Sequence, residues 1–405
     1  MSKTVILVCA HKQDACLKTP PYQPVQVGRA ISQTELPFAV GDDTGDNISD
    51  RNRHYCELTA HYWAWKNLHD ADYIGLNHYR RYFDFEGGSV CSLRTVRSLE
   101  GIDMNIVPAW KKYDAKSGKR QVIVALIDTG VDITHPELSG SIWTNTGEIP
   151  GDGIDNDGNG YIDDVYGWNF YDNNAQVFTG TDDNHGTHSA GTIAAARNGV
   201  GTVGICDPAY VKIMVIKTLG TSSGVGTVSN VVKAIRYAQA NGASICNLSF
   251  GTMKYSEELY QAIKDSGMLF IVAAGNGDAS GNGYSIDEQP MYPASFELDN
   301  IISVANLRFD GQLDRASNYG VRSVDLAAPG NYILSTITGN DYAYMSGTSM
   351  AAPMVTGTAA MLYSCDASLS LMDVRNRILQ SARPLESLSG KVATGGMLDA
   401  GAAMP

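Results

Sequence analysis

Val122-Ile123-Val124-Ala125-Leu126-Ile127-Asp128-Thr129-Gly130 decides how this chain folds. An unbroken apolar run rich in β-branched residues suits a strand buried on both faces, and such strands belong to parallel sheets covered by helices. The run ends in a carboxylate, Asp128, and a turn glycine, Gly130. Open α/β sheets place their sites at the carboxyl ends of strands, which makes Asp128 a candidate by position alone. Apolar stretches at 212–218, 244–248, 269–273, 302–305 and 324–327 read as further strands. The expected architecture is a doubly wound, mostly parallel α/β sheet with helices on both faces.

Two other stretches supply chemistry. Gly347-Thr348-Ser349-Met350-Ala351-Ala352-Pro353 leads into Gly357, Ala359, Ala360 and Leu362, small residues at helical spacing. Ser349 then sits at a helix opening, where free backbone N–H groups and the positive end of the dipole favour an oxyanion beside the hydroxyl. Pro353 suits this placement, because a missing N–H costs little near the first turn. Asn184-His185-Gly186-Thr187-His188-Ser189-Ala190-Gly191-Thr192 is another helix-like run with histidine at its front. A triad needs a hydroxyl to attack, an imidazole to take its proton and a carboxylate to orient the imidazole. All three groups are present, and the chemistry alone leaves His185 and His188 both open.

With Asp128-Thr129-Gly130, His185-Gly186-Thr187-His188, Ala274-Gly275-Asn276 and Gly347-Thr348-Ser349-Met350-Ala351-Ala352-Pro353 in this order, the region from about 100 to 405 resembles the catalytic domain of a subtilisin-like serine protease. The resemblance implies that Asp128 orients, His185 is the general base and acid, Ser349 is the nucleophile and the Asn276 side chain completes the oxyanion hole. It also implies a substrate cleft. Gly224 and Gly226 would pair their backbone with an extended peptide. Ser249-Phe250-Gly251 and Ala274-Gly275 would wall the side chain preceding the scissile bond. Neither wall carries a charge, so specificity is expected to be broad and to lean towards large apolar or aromatic side chains. Ahead of such domains the resemblance implies an inhibitory pro-domain, and none is recognised here.

Asp152-Gly153-Ile154-Asp155-Asn156-Asp157-Gly158-Asn159-Gly160-Tyr161-Ile162-Asp163-Asp164 has oxygen side chains at alternate positions and a glycine at the turn, as a calcium loop does. Structural calcium is expected on Asp155, Asp157, Asn159, the Tyr161 carbonyl and Asp163 or Asp164.

Residues 1–86 read as a strand from Val5, a helix over 50–68 with Leu58, Tyr62 and Trp65 on one face, and a strand over 73–79. The wording Gly41-Asp42-Asp43-Thr44-Gly45-Asp46-Asn47-Ile48-Ser49 and Ile74-Gly75-Leu76-Asn77-His78-Tyr79-Arg80-Arg81-Tyr82-Phe83 resembles the start of a glycosyltransferase-like family found with bacterial capsule genes. The match stops near Phe85, so a truncated α/β segment, dispensable for the chemistry, is expected. Residues 87–100 read as a linker and 101–405 as the peptidase.

The chain's 405 residues are 43% hydrophobic and carry a formal charge of −13. That balance speaks against nucleic acid or an anionic membrane surface as partner. No apolar run approaches the roughly 18 residues of a membrane span. The apolar run 4–10 is too short for a signal-peptide core, and seven cysteines without CxxC spacing read as reduced thiols, so a cytoplasmic location is expected. The expected partner is a protein or peptide substrate, and the sequence does not speak to oligomeric state. Two other readings compete: a catalytically silent peptide-binding relative, and a sugar-transferase fusion.

Overall fold

A computed structural model of the chain describes residues 4–10, 22–27, 29–32, 36, 39–47, 49, 58–68, 73–78, 101–220 and 224–405. It divides into two units, 1–97 and 98–405.

In the first unit β1 (Thr4–Ala10), β2 (Tyr22–Gln26), β3 (Val40–Gly41) and β4 (Tyr73–His78) form a sheet in the order β3-β2-β1-β4, every neighbouring pair parallel. Helix α1 (Leu58–Asn67) packs Ala60, Trp63 and Ala64 into a core with Leu7, Cys9, Val25 and Val27. Their i, i+3, i+4 spacing puts the three helical residues on one face. The sheet has two strands more than the sequence pattern marks. Proline in β2 and the two-residue length of β3 hide them, since Pro24 lacks a donor and a two-residue strand has no period. Of the expected helix over 50–68, residues 50–57 lie outside the described residues, as do Tyr79, Arg80, Arg81 and the linker 87–100.

The second unit opens with α2 (Ile106–Asp114), β5 (Val122–Asp128), β6 (Gly167–Asn169), α3 (Asn184–Ala194) and β7 (Val211–Lys217). A short hairpin, β8 (Leu219–Gly220) and β9 (Val225–Gly226), precedes α4 (Val228–Ala240), β10 (Ile245–Leu248), α5 (Glu257–Lys264), β11 (Leu269–Ala273), β12 (Ile301–Leu307) and β13 (Leu326–Pro329). A second hairpin, β14 (Ile333–Ile337) and β15 (Asp341–Met345), leads into α6 (Thr348–Cys365), α7 (Leu371–Gln380), β16 (Arg383–Pro384), β17 (Gly396–Met397) and α8 (Ala400–Ala403). Nine strands join in the order β16-β17-β13-β12-β11-β10-β5-β7-β6, and only the β16–β17 pair is antiparallel.

Alternate residues of each strand face opposite cores. Val122, Val124 and Leu126 of β5 join Ile213 and Val215 of β7 under α2, α3, α6, α7 and α8, while Ala125, Ile127, Met214 and Ile216 face α4 and α5. Burying each Ile, Val or Leu contributes about 1.5–3 kcal/mol, and β5 is apolar at every position before Asp128. Helix α6 crosses the first core as an almost wholly buried rod. Its small residues permit that depth: a methyl group on Gly357 would lie 2.8 Å from Ile205 Cβ.

The strand order places the site. From β5 the chain first lays down the edge strand β6 and fills in β7 between it and β5, then crosses to the other side of β5 with β10, β11, β12 and β13. A crevice opens at the carboxyl ends of strands where the winding reverses. Asp128 ends β5 at that point.

Candidate active site

Asp128 is wholly buried, and its Oδ1 accepts from the Thr129 N–H and from His185 Nδ1, both at 2.7 Å. Its Oδ2 has no hydrogen-bond partner among the described residues. His185 stands in the first turn of α3, its side chain one-third exposed. Burial opposes charge on this imidazole, but attraction to the Asp128 carboxylate and the hydrogen bond to it prevail, and the net effect raises its pKa.

Local chemistry fixes α3 against β5. Gly186 lets the backbones touch: a methyl group there would stand 2.1 Å from the Gly130 carbonyl oxygen. Gly130 itself has φ +114°, which few other residues adopt. The Gly186 N–H donates to Thr129 Oγ1 at 3.1 Å and Asp132 N to Thr187 Oγ1 at 2.9 Å. Beneath this turn lies a buried ion pair that the sequence did not signal. Lys217, paired in register with Asp128, sends Nζ to Asp183 Oδ1 at 2.6 Å and also donates to the Thr129 and Leu219 carbonyls. One cation therefore ties the residue before α3 to the turn after β5.

His188, the other candidate imidazole, faces away from the site. Its Nε2 bonds the Ile333 carbonyl at 2.9 Å, and burial pushes its pKa down to about 4, so it stays neutral and holds β14.

Ser349 lies in the first turn of α6 and is 9% exposed. Its hydroxyl donates to the Ser249 carbonyl at 2.9 Å, and among the described residues no hydrogen bond links it to His185. Asn276 follows β11 and Gly275. Its Oδ1 accepts from Thr348 N at 2.8 Å and Thr348 Oγ1 at 3.0 Å, which turns the amide nitrogen away from those donors. A methyl group on Gly347 would lie 3.2 Å from Nδ2, so the amide borders the turn that carries Ser349.

The segments read as a substrate cleft are placed as follows. Gly224 and Gly226 belong to the β8–β9 hairpin, where Val225 is 59% exposed. Ser249-Phe250-Gly251 continue from β10. Ala274 is buried, with its N–H on the Val304 carbonyl, and the Gly275 N–H donates to Thr348 Oγ1 at 3.2 Å.

The acidic loop closes differently from a simple alternation of ligands. Carboxylate oxygens of Asp157, Asp164 and Glu148 lie within 4.8 Å of one another. Asn159 Nδ2 bridges Asp157 and Asp164 at 3.1 and 3.0 Å. Asp155 instead accepts the Asn159 and Gly160 N–H groups, and Asp163 those of Gly151 and Gly153. The Tyr161 ring packs edge-on against Trp168 and Tyr237. Asp164 is wholly buried, and burial raises its pKa despite a 2.5 Å hydrogen bond from Tyr237. Glu148 was missed because it precedes the loop. Three converging carboxylates, two of them (Glu148 and Asp164) buried, form a donor set suited to a hard divalent cation.

In the first unit Asp42 is fully buried and accepts from the Arg29 N–H and the Ser49 hydroxyl, while Asp43 lies 3.6 Å from Arg29 Nε. Among the described residues no helix is long and apolar enough to cross a membrane.

The model of the Subtilase family matches residues 119–398, and that of a Domain of unknown function (DUF4422) matches residues 5–137. The Thermophilic serine proteinase of Bacillus sp. (strain AK1) is 37% identical over 278 residues, covering 68% of this chain and 59% of that protein. Subtilisin-like protease 1 of Plasmodium berghei (strain Anka) is 34% identical over 293 residues, 68% of this chain and 48% of its own length. Subtilisin Savinase of Lederbergia lenta is 34% identical over 269 residues, 66% of this chain and 85% of that protein. This chain therefore spans about half the length of the Plasmodium and Bacillus sp. relatives. The crystal structure of a cold adapted subtilisin-like serine proteinase superposes with a TM-score of 0.54 at 27% identity, over 69% of this chain and 89% of that one. With its nine-stranded sheet wound about β5 and the family's match running from β5 to β17, this chain belongs to the Subtilase family.

Proposed function

We propose that this chain is a serine endopeptidase, with residues 101–405 as the peptidase, 87–100 as linker and 1–86 as an appended glycosyltransferase-like segment without transferase activity. The observation that carries the reading is the 2.7 Å hydrogen bond between His185 and buried Asp128, in a chain whose Ser349 stands in the first turn of the buried helix α6.

In this reading the Ser349 hydroxyl leaves the Ser249 carbonyl and turns to His185 Nε2. His185 takes the proton as Oγ attacks the peptide carbonyl, and Asp128 stabilises the imidazolium. The negative charge on the former carbonyl oxygen is met by Asn276 Nδ2 and by free N–H groups of the first turn of α6. His185 then gives its proton to the departing amine, leaving an acyl-enzyme that water hydrolyses by the same steps. The peptide lies extended along Gly224 and Gly226, with the side chain before the scissile bond between Ser249-Phe250-Gly251 and Ala274-Gly275. Specificity is broad and leans to large apolar residues.

Calcium is the ion proposed for Glu148, Asp157 and Asp164, with Asn159 beside them. It would neutralise the buried Asp164 and stabilise the fold without entering the reaction.

A fluorophosphonate probe tests the reading. Covalent labelling of the full chain, lost in Ser349→Ala together with peptide hydrolysis, is the expected result. Absence of labelling in the wild type would favour a silent peptide-binding protein, for which the Ser349 hydroxyl's bond to Ser249 is the supporting observation.

A further inference from the structure

Two backbone segments flank the turn that carries Ser349. One runs from Ser249, bonded to Ser349, to Gly251, and the other through Gly275, whose N–H reaches Thr348. Both walls present a glycine, and Met291 lies beside both, with the uncharged Asn318 amide nearer still to Gly275. A methyl group built on Gly251 would stand 3.0 Å from Met291 Cγ and 3.1 Å from Sδ, and one built on Gly275 would stand 3.7 Å from Cε. The thioether thus runs from one wall to the other.

Its backbone is fixed on both sides. Thr252 and Tyr292 exchange two main-chain hydrogen bonds, at 2.8 and 2.7 Å, which ties Met291 to the wall that contains Gly251. The Met291 N–H donates to Ser295 Oγ at 3.1 Å, and the Ser295 N–H donates to the Met291 carbonyl at 2.8 Å. The side chain is half-buried against Tyr292 and the second core. An unbranched, polarizable chain on a rigid backbone fills a gap while still yielding to another flexible chain. A flat ring needs the gap open, because two walls of backbone cannot retreat.

We infer that Met291 determines which apolar side chain is accepted before the scissile bond: flexible aliphatic chains of leucine or methionine size enter beside the thioether, and aromatic rings are held out by it. This rests on the serine-protease reading and narrows it from apolar residues in general to aliphatic ones. None of the groups facing the slot from Gly251, Gly275 or Met291 carries a charge, so a basic side chain gains nothing there.

The test uses the full chain and peptides identical except for Ala, Leu, Met, Phe, Tyr or Lys before the scissile bond. The readout is kcat/KM for wild type, Met291→Ala, Met291→Val and Met291→Leu. A single methylene in an apolar slot is worth roughly 10–200-fold, so removing Cγ, Sδ and Cε should raise the Phe-to-Leu ratio by at least ~10-fold. Met291→Val carries the same expectation should the alanine variant not fold, and Met291→Leu, which conserves volume, should keep the wild-type order. An unchanged Phe-to-Leu ratio in the shortened variants, with all the peptides still cut, would overturn the inference and leave the protease reading standing. A wild type that cuts none of the peptides would overturn both.

Discussion

Ser249 and Ser349 hold each other twice. The Ser349 hydroxyl donates to the Ser249 carbonyl at 2.9 Å, and the Ser249 hydroxyl donates to the Ser349 carbonyl at 3.2 Å. Behind them Asn247 Nδ2 donates to Ser249 Oγ and Thr356 Oγ1 donates to Asn247 Oδ1, a buried chain that ends about two turns further along α6. Ser249→Ala should break this chain and leave Asn247 Nδ2 buried without an acceptor, at a cost of about 1–3 kcal/mol. Urea unfolding of Ser349→Ala and of the Ser349→Ala, Ser249→Ala double variant measures it without self-digestion. A difference near zero would show the network to be idle.

The Ser349→Ala change itself should reduce peptide hydrolysis by about 10⁶-fold, the magnitude set by subtilisin, a relative of this chain. The pH dependence then reports on His185. A base must be neutral to act, and its pKa is raised, so the acid limb of kcat/KM should fall above the ordinary imidazole value. Asp128→Asn removes the charge that raises it and should move that limb downwards, while also lowering turnover by about 10⁴-fold through loss of the correct tautomer. An acid limb in the same place in both proteins would contradict the assignment of His185.

Asn276 has two separable duties. Its Oδ1 anchors Thr348, and its Nδ2 is the proposed donor to the oxyanion. Asn276→Asp keeps the acceptor and removes the donor. Turnover should drop by at least roughly 10²–10³-fold with KM little changed, the range known for a missing oxyanion-hole donor in subtilisin itself. The melting temperature should stay closer to wild type than that of Asn276→Ala. Wild-type turnover in the Asp variant would take Asn276 out of the reaction.

The Lys217–Asp183 pair is wholly inside the protein. Removing one partner strands the other charge, and Lys217→Met should therefore cost about 3–5 kcal/mol, whereas an exposed pair would cost less than about 1. Denaturation on the Ser349→Ala background checks this. A loss below 1 kcal/mol would mean that the lysine is not the tie between α3 and β5 that its contacts describe.

Calcium should raise the melting temperature of the wild type by mass action. Chelation should lower it, and Glu148→Gln with Asp157→Asn should abolish most of that response. Asp155→Ala should keep it, because Asp155 is not one of the three carboxylates that converge. A response lost in Asp155→Ala and kept in the Glu148 variant would return the ion to the outer loop.

The strands and the helix that carries Ser349 were legible because their signals are local. Val122–Asp128 is apolar at every position before the acid, and the glycines and alanines around Ser349 announce close packing. What escaped is set by residues distant in sequence. Lys217 looks like any charged strand end until the parallel register sets it beside Asp128. Glu148 joins Asp157 and Asp164 only because the loop folds back, and Tyr237 reaches Asp164 from α4. Residue chemistry alone leaves His185 and His188 open and the resemblance to the family points to His185; in the structure His185 bonds Asp128 and His188 bonds the Ile333 carbonyl.

Residues 399–404 close on α2, the first helix of the second unit. Lys112 of α2 donates to the Gly401 and Met404 carbonyls at 3.0 and 2.9 Å, Asn105 Nδ2 to Asp399 at 2.7 Å, and Ala400 N to the Met104 carbonyl. Residues 399–404 follow Ser349 in the sequence by more than the length of α7. A chain still being made thus has its serine before it has the clasp that holds α2 to the core. The hydrogen bonds that fasten α2 to residues 399–404 therefore form only after the segment that carries Ser349 has been synthesised.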